Sequence, residues 1–181
     1  MKVVLIILAI LVVLLIVVYA YYGGFSKISF RIENQGGETV VYENLTGDYS
    51  QSAKVGDRIY YTLLNDEKIE TTKGIGIYYD DPKKVAKTEL HSEIGCIVEN
   101  ADSVTLARLA EKYQVKTLPQ SEFVVAEFPF KGKLSVLFGL MKVYPALEKF
   151  YKEHGYIESP VTEIYDVPNK KIIYRQETKK E

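Results

Sequence analysis

The N-terminal segment Val3–Tyr22 contains no charged residue, no proline and no glycine. A helix of about twenty residues is roughly 30 Å long, which matches the hydrocarbon core of a bilayer. Because such a helix satisfies its own backbone hydrogen bonds, it can lie in lipid. Tyrosines crowd its C-terminal end, as is typical of a membrane interface, and Gly23-Gly24 follows. The sequence therefore predicts a transmembrane anchor over residues 1–24.

A cleaved signal peptide is the alternative for this segment, because Val18–Ala20 resembles a cleavage site. The apolar run is longer than the usual signal-peptide core of about 7–15 residues, which favours an uncleaved anchor. Lys2 precedes the segment, and Lys27 and Arg31 follow it. Since both flanks carry positive charge, the side of the membrane that the domain occupies stays open.

Residues 25–181 have the length of one ordinary domain. Without Lys2 the chain has 22 Lys+Arg against 24 Asp+Glu, which argues against a nucleic-acid partner. A single cysteine, Cys96, excludes an internal disulfide and a cysteine-rich metal site. His91 and His154 have no second ligand at metal-binding spacing, so we expect no metal. No motif for a cofactor is present either: Lys131–Lys133 lacks the upstream glycine of a phosphate loop.

An internal repeat organises this domain. Val40–Glu43 reads VVYE and Val124–Glu127 reads VVAE, 84 residues later. Ile77–Pro82 reads IYYDDP and Ile164–Pro168 reads IYDVP, 87 residues after the first. Matching signals in the same order predict two related halves, each with the order strand–helix–strand–strand.

The two halves span about 28–99 and 113–178, with helices predicted near 50–64 and 133–154 and a short linking helix near 103–112. We expect residues 38–99 to superpose on 122–177, with Glu43 over Glu127 and Tyr78 close to Tyr165. The second helix has the clearer pattern, since apolar residues recur at steps of three and four. They are predicted to face the core: Leu134, Leu137, Leu140, Met141, Tyr144, Leu147, Phe150 and Tyr151. Pro145 should kink this helix and Gly155 should end it.

The domain resembles the GyrI-like, or AraC-type, effector-binding domain family. Glu163-Ile164-Tyr165 is similar to the ligand-strand motif of that family, and Ile77–Pro82 is similar to its central strand and turn. Gly47-Asp48-Tyr49 corresponds to a Gly-Pro-Tyr motif that precedes the first helix, with aspartate in place of proline. The resemblance covers about residues 28–178.

This resemblance implies an α+β fold: duplicated βαββ halves that form an antiparallel sheet with two main helices and a ligand groove between the halves. It also implies a buried glutamate at Glu163 that binds cationic or amphipathic molecules. Tyr165 lies on the same strand face, and Tyr78 and Tyr49 match aromatic positions of the family more loosely. We expect Ile164 to point into the core against a helix, and burial to raise the pKa of Glu163.

The chain lacks a DNA-binding segment, so the resemblance does not predict a transcription regulator. The leading prediction is a membrane-tethered, non-enzymatic domain that binds a small amphipathic or cationic ligand. One alternative is a hydrolase of reactive electrophilic small molecules, with Glu163 as general base. The other is a membrane-bound protein-interaction adaptor, since an anchor followed by this domain resembles an autophagy receptor of animals. That receptor relies on a long tail that carries a short motif. This sequence ends shortly after its last predicted strand, which argues against the adaptor.

Overall fold

The computed structural model describes residues 1–180, which form one eight-stranded antiparallel sheet and four helices. The helices are α1 (Lys2–Tyr21), α2 (Ser52–Asn65), α3 (Ser103–Ala110) and α4 (Lys133–His154). The strands are β1 (Arg31–Gln35), β2 (Thr39–Thr46), β3 (Lys73–Tyr78), β4 (His91–Ile97), β5 (Gln114–Thr117), β6 (Ser121–Pro129), β7 (Val161–Asp166) and β8 (Lys171–Glu177). This architecture confirms the α+β fold with duplicated βαββ halves that follow an N-terminal apolar helix.

The order of strands in the sheet is β1-β6-β8-β7-β3-β4-β2-β5. The first half, β2-α2-β3-β4, and the second half, β6-α4-β7-β8, each contribute a contiguous block, and β3 and β7 pair at the centre. The edge strands are exchanged between the halves. β5 precedes the second half in sequence but pairs with β2, whereas β1 precedes the first half but pairs with β6. The exchange ties each half to the other at both edges of the sheet.

Helices α2 and α4 cover the same face of the sheet. Against α2 this face buries Val41, Ile94 and Cys96, and against α4 it buries Val124, Ala126 and Phe128. Ile164 lies on the opposite face, where it packs with Ile75, Ile97 and other apolar residues. The expectation that Ile164 packs against a helix is therefore wrong, because strand alternation gives the helix face to its neighbours Glu163 and Tyr165.

The equivalence of Glu43 and Glu127 is also wrong. Glu43 shares the helix face of β2 with Val41, and its carboxylate pairs with Arg58 of α2. Glu127 alternates with Ala126 and Phe128, so it lies on the opposite face, where Lys171 donates to it at 2.8 Å. Side chains alternate between the two faces with a period of two, so residues that are equivalent in the two halves must lie on the same face. The alignment of VVYE with VVAE letter by letter is therefore shifted from the true equivalence by an odd number of residues.

Helix α4 buries a different stripe from the one that its apolar residues predict. Its most buried residues follow at steps of four: Ser135, Gly139, Val143, Leu147 and Tyr151. Small side chains at two of these positions let the first half of the helix lie close to the sheet. Leu134, Leu137, Leu140 and Met141 are consequently exposed, contrary to the prediction. The helix runs through Pro145, and the left-handed Gly155, with φ +66°, ends it as expected.

Helix α1 extends away from the sheet and is exposed almost throughout. It is 20 residues long and contains an 18-residue stretch with a mean hydropathy of 3.6, so length and composition allow it to cross a membrane, as they would allow a signal sequence. Its C-terminal end contacts α4. The Tyr19 ring packs edge-on against Phe138 with centroids 5.2 Å apart, and Lys142 Nζ donates to the Ser26 carbonyl oxygen at 2.7 Å.

Candidate functional site

The candidate site lies on the helix-bearing face where the two halves meet. Glu163 and Tyr165 of β7 project from this face and pair directly with Gly76 and Gly74 of β3. Because glycine has no side chain, the β3 side of the junction leaves room above the sheet for the side chains of its neighbours. Alternation along β7 thus confirms that Glu163 and Tyr165 share one face.

The Glu163 carboxylate is buried, with 1% of the residue exposed. The Tyr144 hydroxyl of α4 donates to Oε1 at 2.7 Å, and the Tyr165 hydroxyl donates to Oε2. Within residues 1–180, no lysine, arginine or histidine forms an ion pair with this carboxylate. The site therefore holds an acid whose partners are two neutral hydroxyl groups.

Two further tyrosines complete a tyrosine cage, which we define as Tyr78, Tyr144, Tyr165 and Tyr174 around Glu163. The Tyr78 ring lies over Gly76, where an added Cβ would come within 2.8 Å of the ring and its hydroxyl. Tyr174 of β8 pairs directly with Glu163, and its buried hydroxyl has no hydrogen-bond partner. The sheet and α4 thus supply an aromatic lining on several sides of one carboxylate.

Tyr49 lies outside the tyrosine cage and contacts its member Tyr78. It begins a short 3-10 turn before α2, in which Asp48 accepts from the Ser50 amide at 2.9 Å. The Tyr49 ring packs edge-on against Tyr78 at 4.9 Å, and its hydroxyl donates to the His91 carbonyl oxygen at 2.9 Å. Tyr49 therefore supports the cage through Tyr78, and its hydroxyl bonds to backbone rather than to the carboxylate.

Tyr144 and Tyr174 belong to the site, although the sequence patterns do not reveal them. The periodicity of α4 predicts that Tyr144 faces the core, because helical periodicity does not distinguish a residue that packs from one that donates a hydrogen bond. Tyr174 lies in the last strand. The only feature of the sequence that points to its position is strand alternation, which places it on one face with Ile172 and Gln176. Among the residues of the site, Glu163, Tyr165 and Tyr78 come together as expected.

Burial raises the pKa of the Glu163 carboxyl above its ordinary value, although the hydroxyls of Tyr165 and Tyr144 act in the opposite direction. The raised pKa agrees with the expectation from sequence. Burial is also the main reason that the pKa values of Tyr144 and Tyr165 are raised, with the negative charge of Glu163 adding to the effect. Both hydroxyls therefore stay protonated and remain donors. An ionised carboxylate is costly in such surroundings unless a proton or a cation neutralises it.

The carboxyl itself is enclosed rather than open to a groove. A cavity of about 500 Å³ does exist in the domain, but residues of the opposite face and of the edge loops line it, among them Glu38, Lys73 and Ile164. The sheet separates that cavity from Glu163. A ligand that reaches Glu163 must consequently displace part of the tyrosine cage.

The sequence matches the GyrI-like small molecule binding domain over residues 29–178. The chain belongs to this family. The match covers both halves and the exchanged strands, so the GyrI-like domain comprises nearly everything after α1.

The chain is also similar to several known proteins. The testis-expressed protein 264 homolog of Mus musculus is 28% identical over 133 residues, which are 70% of this chain and 41% of that protein. The chain thus spans less than half the length of this relative. The crystal structure of the EcmrR C-terminal domain has a TM-score of 0.61 at 12% identity, over 85% of this chain and 99% of that one. SAV2435 bound to tetraphenylphosphonium has a TM-score of 0.59 at 16% identity, over 83% and 94%. At these identities the two structures share the fold.

Proposed function

We propose that this GyrI-like domain binds lipophilic cations, with Glu163 as the counter-charge, and that α1 tethers it to a membrane without any catalytic role for the domain. The observation that carries the proposal is the buried Glu163 carboxylate, which has two tyrosine hydroxyls but no cationic side chain as partners. A bound cation would supply the missing charge.

The tyrosine cage suits such a ligand for two reasons. Aromatic faces attract cations by about 0.5–2 kcal/mol, most strongly where water is excluded. The rings also offer apolar surface for the hydrophobic part of the ligand. Because Glu163 is enclosed, binding requires ring movement, and Tyr78 is suited to this since its ring lies over Gly76, where no side chain hinders it.

The tether adds a physical advantage for this class of ligand. Amphipathic cations concentrate at membrane surfaces, because their apolar part enters the lipid while their charge stays near the headgroups. A domain held at that surface by α1 meets a higher local concentration of ligand than one in bulk solution.

A hydrolase is the second candidate, and the raised pKa of Glu163 favours it, since a general base works best with a pKa near the ambient pH. The enclosure of the Glu163 carboxylate argues against a hydrolase. A general base must activate a water molecule beside it, and the enclosed carboxylate has almost no access to solvent. Turnover of an electrophilic ester that disappears in Glu163→Gln would establish the hydrolase instead.

The test is calorimetric titration of the detergent-solubilised full chain with tetraphenylphosphonium, the ligand bound to SAV2435. Glu163→Gln keeps the shape of the side chain and removes its charge. We expect it to lose about 1.5–3 kcal/mol, or roughly ten- to a hundredfold in affinity. The neutral analogue triphenylphosphine oxide should bind both proteins with similar affinity. Glu43→Gln is the matched control, since Glu43 pairs with Arg58 outside the cage.

The pH dependence gives an independent check. A cation stabilises the ionised carboxylate, so affinity for tetraphenylphosphonium should fall as the pH falls and Glu163 takes up a proton. Glu163→Gln should show no such fall. Equal affinity of the wild type and Glu163→Gln would make Glu163 a bystander, and no heat of binding with either protein would refute cation binding.

A further inference from the structure

An exposed apolar surface on α4 has no protein partner within residues 1–180. We define the α4 patch as Leu134, Leu137, Leu140 and Met141, whose exposed fractions are 41%, 49%, 41% and 65%. These residues lie within two turns of one helix, and a soluble domain gains nothing by exposing them together. Their exposure follows from the packing of α4, which turns Ser135 and Gly139 toward the sheet.

The α4 patch lies beside the point where α1 joins the domain. Tyr19, in the last turn of α1, contacts Phe138 of α4, and Lys142 of the same helix donates to the carbonyl oxygens of Gly24 and Ser26. If α1 spans a bilayer, its last turn lies at the interface, where tyrosine is favoured. The first half of α4 is therefore at the depth of the interface and not deep in the aqueous phase.

Charge around the α4 patch also matches a lipid surface. Residues 128–147 contain three lysines, Lys131, Lys133 and Lys142, and no aspartate or glutamate. Acidic residues of α4 occur only in its second half, beginning with Glu148. A helix segment that combines apolar side chains with lysines is typical of an interfacial helix on an anionic membrane.

We propose that the α4 patch inserts into the interfacial layer of the bilayer that α1 spans, so that amphipathic ligands reach the Tyr144 side of the cage from the lipid. This inference rests on the membrane tether of the proposed function. The same helix carries the lipid-facing Met141 and the hydroxyl of Tyr144, which donates to Glu163. Ligands dissolved in the interface thus have a short path to the counter-charge.

The test uses the absence of tryptophan from the sequence, because each introduced tryptophan is then the sole indole fluorophore. Met141→Trp and Leu137→Trp report on the α4 patch. Val104→Trp is the matched control, since Val104 is an apolar residue of α3 that is 75% exposed. Leu11→Trp reports on the middle of α1. Each full-length variant is reconstituted into vesicles of phosphatidylcholine and phosphatidylglycerol whose acyl chains carry bromine, a quencher of indole fluorescence.

We expect blue-shifted and strongly quenched emission from Met141→Trp and Leu137→Trp. Comparing bromine positions should place these indoles about 5–10 Å below the headgroup boundary. Val104→Trp should emit as in water without quenching. Emission from both patch variants like that of Val104→Trp would overturn the inference. A blue shift without quenching would also overturn it, since it would show that protein, such as a second copy of this chain, covers the patch.

Leu11→Trp separates the two proposals. If it is quenched while the patch variants are not, the tether stands and the inference about α4 falls. If it is not quenched, α1 is not in the bilayer, and the tether and the inference fall together. Neither result alters the calorimetric test of Glu163 with tetraphenylphosphonium.

Discussion

Replacing Glu163 by glutamine should stabilise the ligand-free domain at neutral pH. The wild-type carboxylate gains two hydrogen bonds from Tyr144 and Tyr165, each worth about 1.5–3 kcal/mol to an ionised group. Burial raises the pKa of the Glu163 carboxyl in spite of these bonds, so the cost of burying the ion exceeds their contribution, and no cation offsets that cost here. The amide of Glu163→Gln keeps one acceptor for Tyr144 and presents an N–H donor to the hydroxyl oxygen of Tyr165. We therefore expect a gain of about 1–3 kcal/mol in the free energy of unfolding.

The gain should depend on pH in a defined direction. Because the pKa of Glu163 is raised in the folded state, the folded protein binds more protons than the unfolded protein between the unfolded pKa, about 4.3, and the folded pKa. Wild-type stability therefore falls as the pH rises through this window. Near pH 4 the carboxyl is largely protonated in both states, and wild type and Glu163→Gln should be almost equally stable.

The assay is thermal unfolding of the full chain in detergent, followed by circular dichroism from pH 4 to pH 8. A gain of about 1–3 kcal/mol corresponds to a rise of roughly 2–12 °C in Tm for a domain of this size. Glu43→Gln again serves as the control, because Glu43 is not buried and its change should have little effect. If Glu163→Gln were less stable than wild type at pH 7, or if the difference did not vary with pH, the desolvation argument would be refuted.

Two further predictions concern the packing of α4 and the fate of α1. Gly139→Ala should cost about 1–3 kcal/mol despite the helical preference for alanine, because the new Cβ would lie 2.3 Å from the Tyr174 hydroxyl. Tyr174→Phe removes that unpartnered hydroxyl and should rescue Gly139→Ala in urea unfolding; additive effects of the two changes would contradict the contact. The full chain should remain in the membrane pellet after high-salt and alkaline washes, because its attachment is apolar. N-terminal sequencing of the mature protein should find α1 retained, and a start at Tyr21 would show that α1 is a cleaved signal.

Several features of the protein follow from local sequence alone. The run Val3–Tyr22 predicts a helix because nothing in it breaks one and an apolar environment leaves the backbone no other partner. The paired signatures, including Ile77–Pro82 and Ile164–Pro168, predict the duplicated order of strands and helices. Strand alternation is equally local, so it predicts that Glu163 and Tyr165 share a face with Ile164 opposite.

Other features depend on contacts between distant parts of the chain. The exchange of β1 and β5 between the halves cannot be inferred from spacing. β1 comes before the first half but pairs with the second half, and β5 comes before the second half but pairs with the first half. Alternation does not say which face the helices cover, and for this reason the prediction that Ile164 packs against a helix is wrong. The buried stripe of α4 depends on the close approach of Gly139 to Tyr174. A pattern of apolar residues does not predict such a contact.

The tyrosine cage is the clearest case of a site that only tertiary structure assembles. Tyr78, Tyr144 and Tyr174 lie on three separate elements of the two halves, and none is adjacent to Glu163 in sequence. The sequence determined that an acid and a tyrosine would share one strand face, because that depends on a two-residue period. Their enclosure depends on strand pairing and on the packing of α4. Those are long-range contacts whose geometry is fixed only when the whole sheet forms.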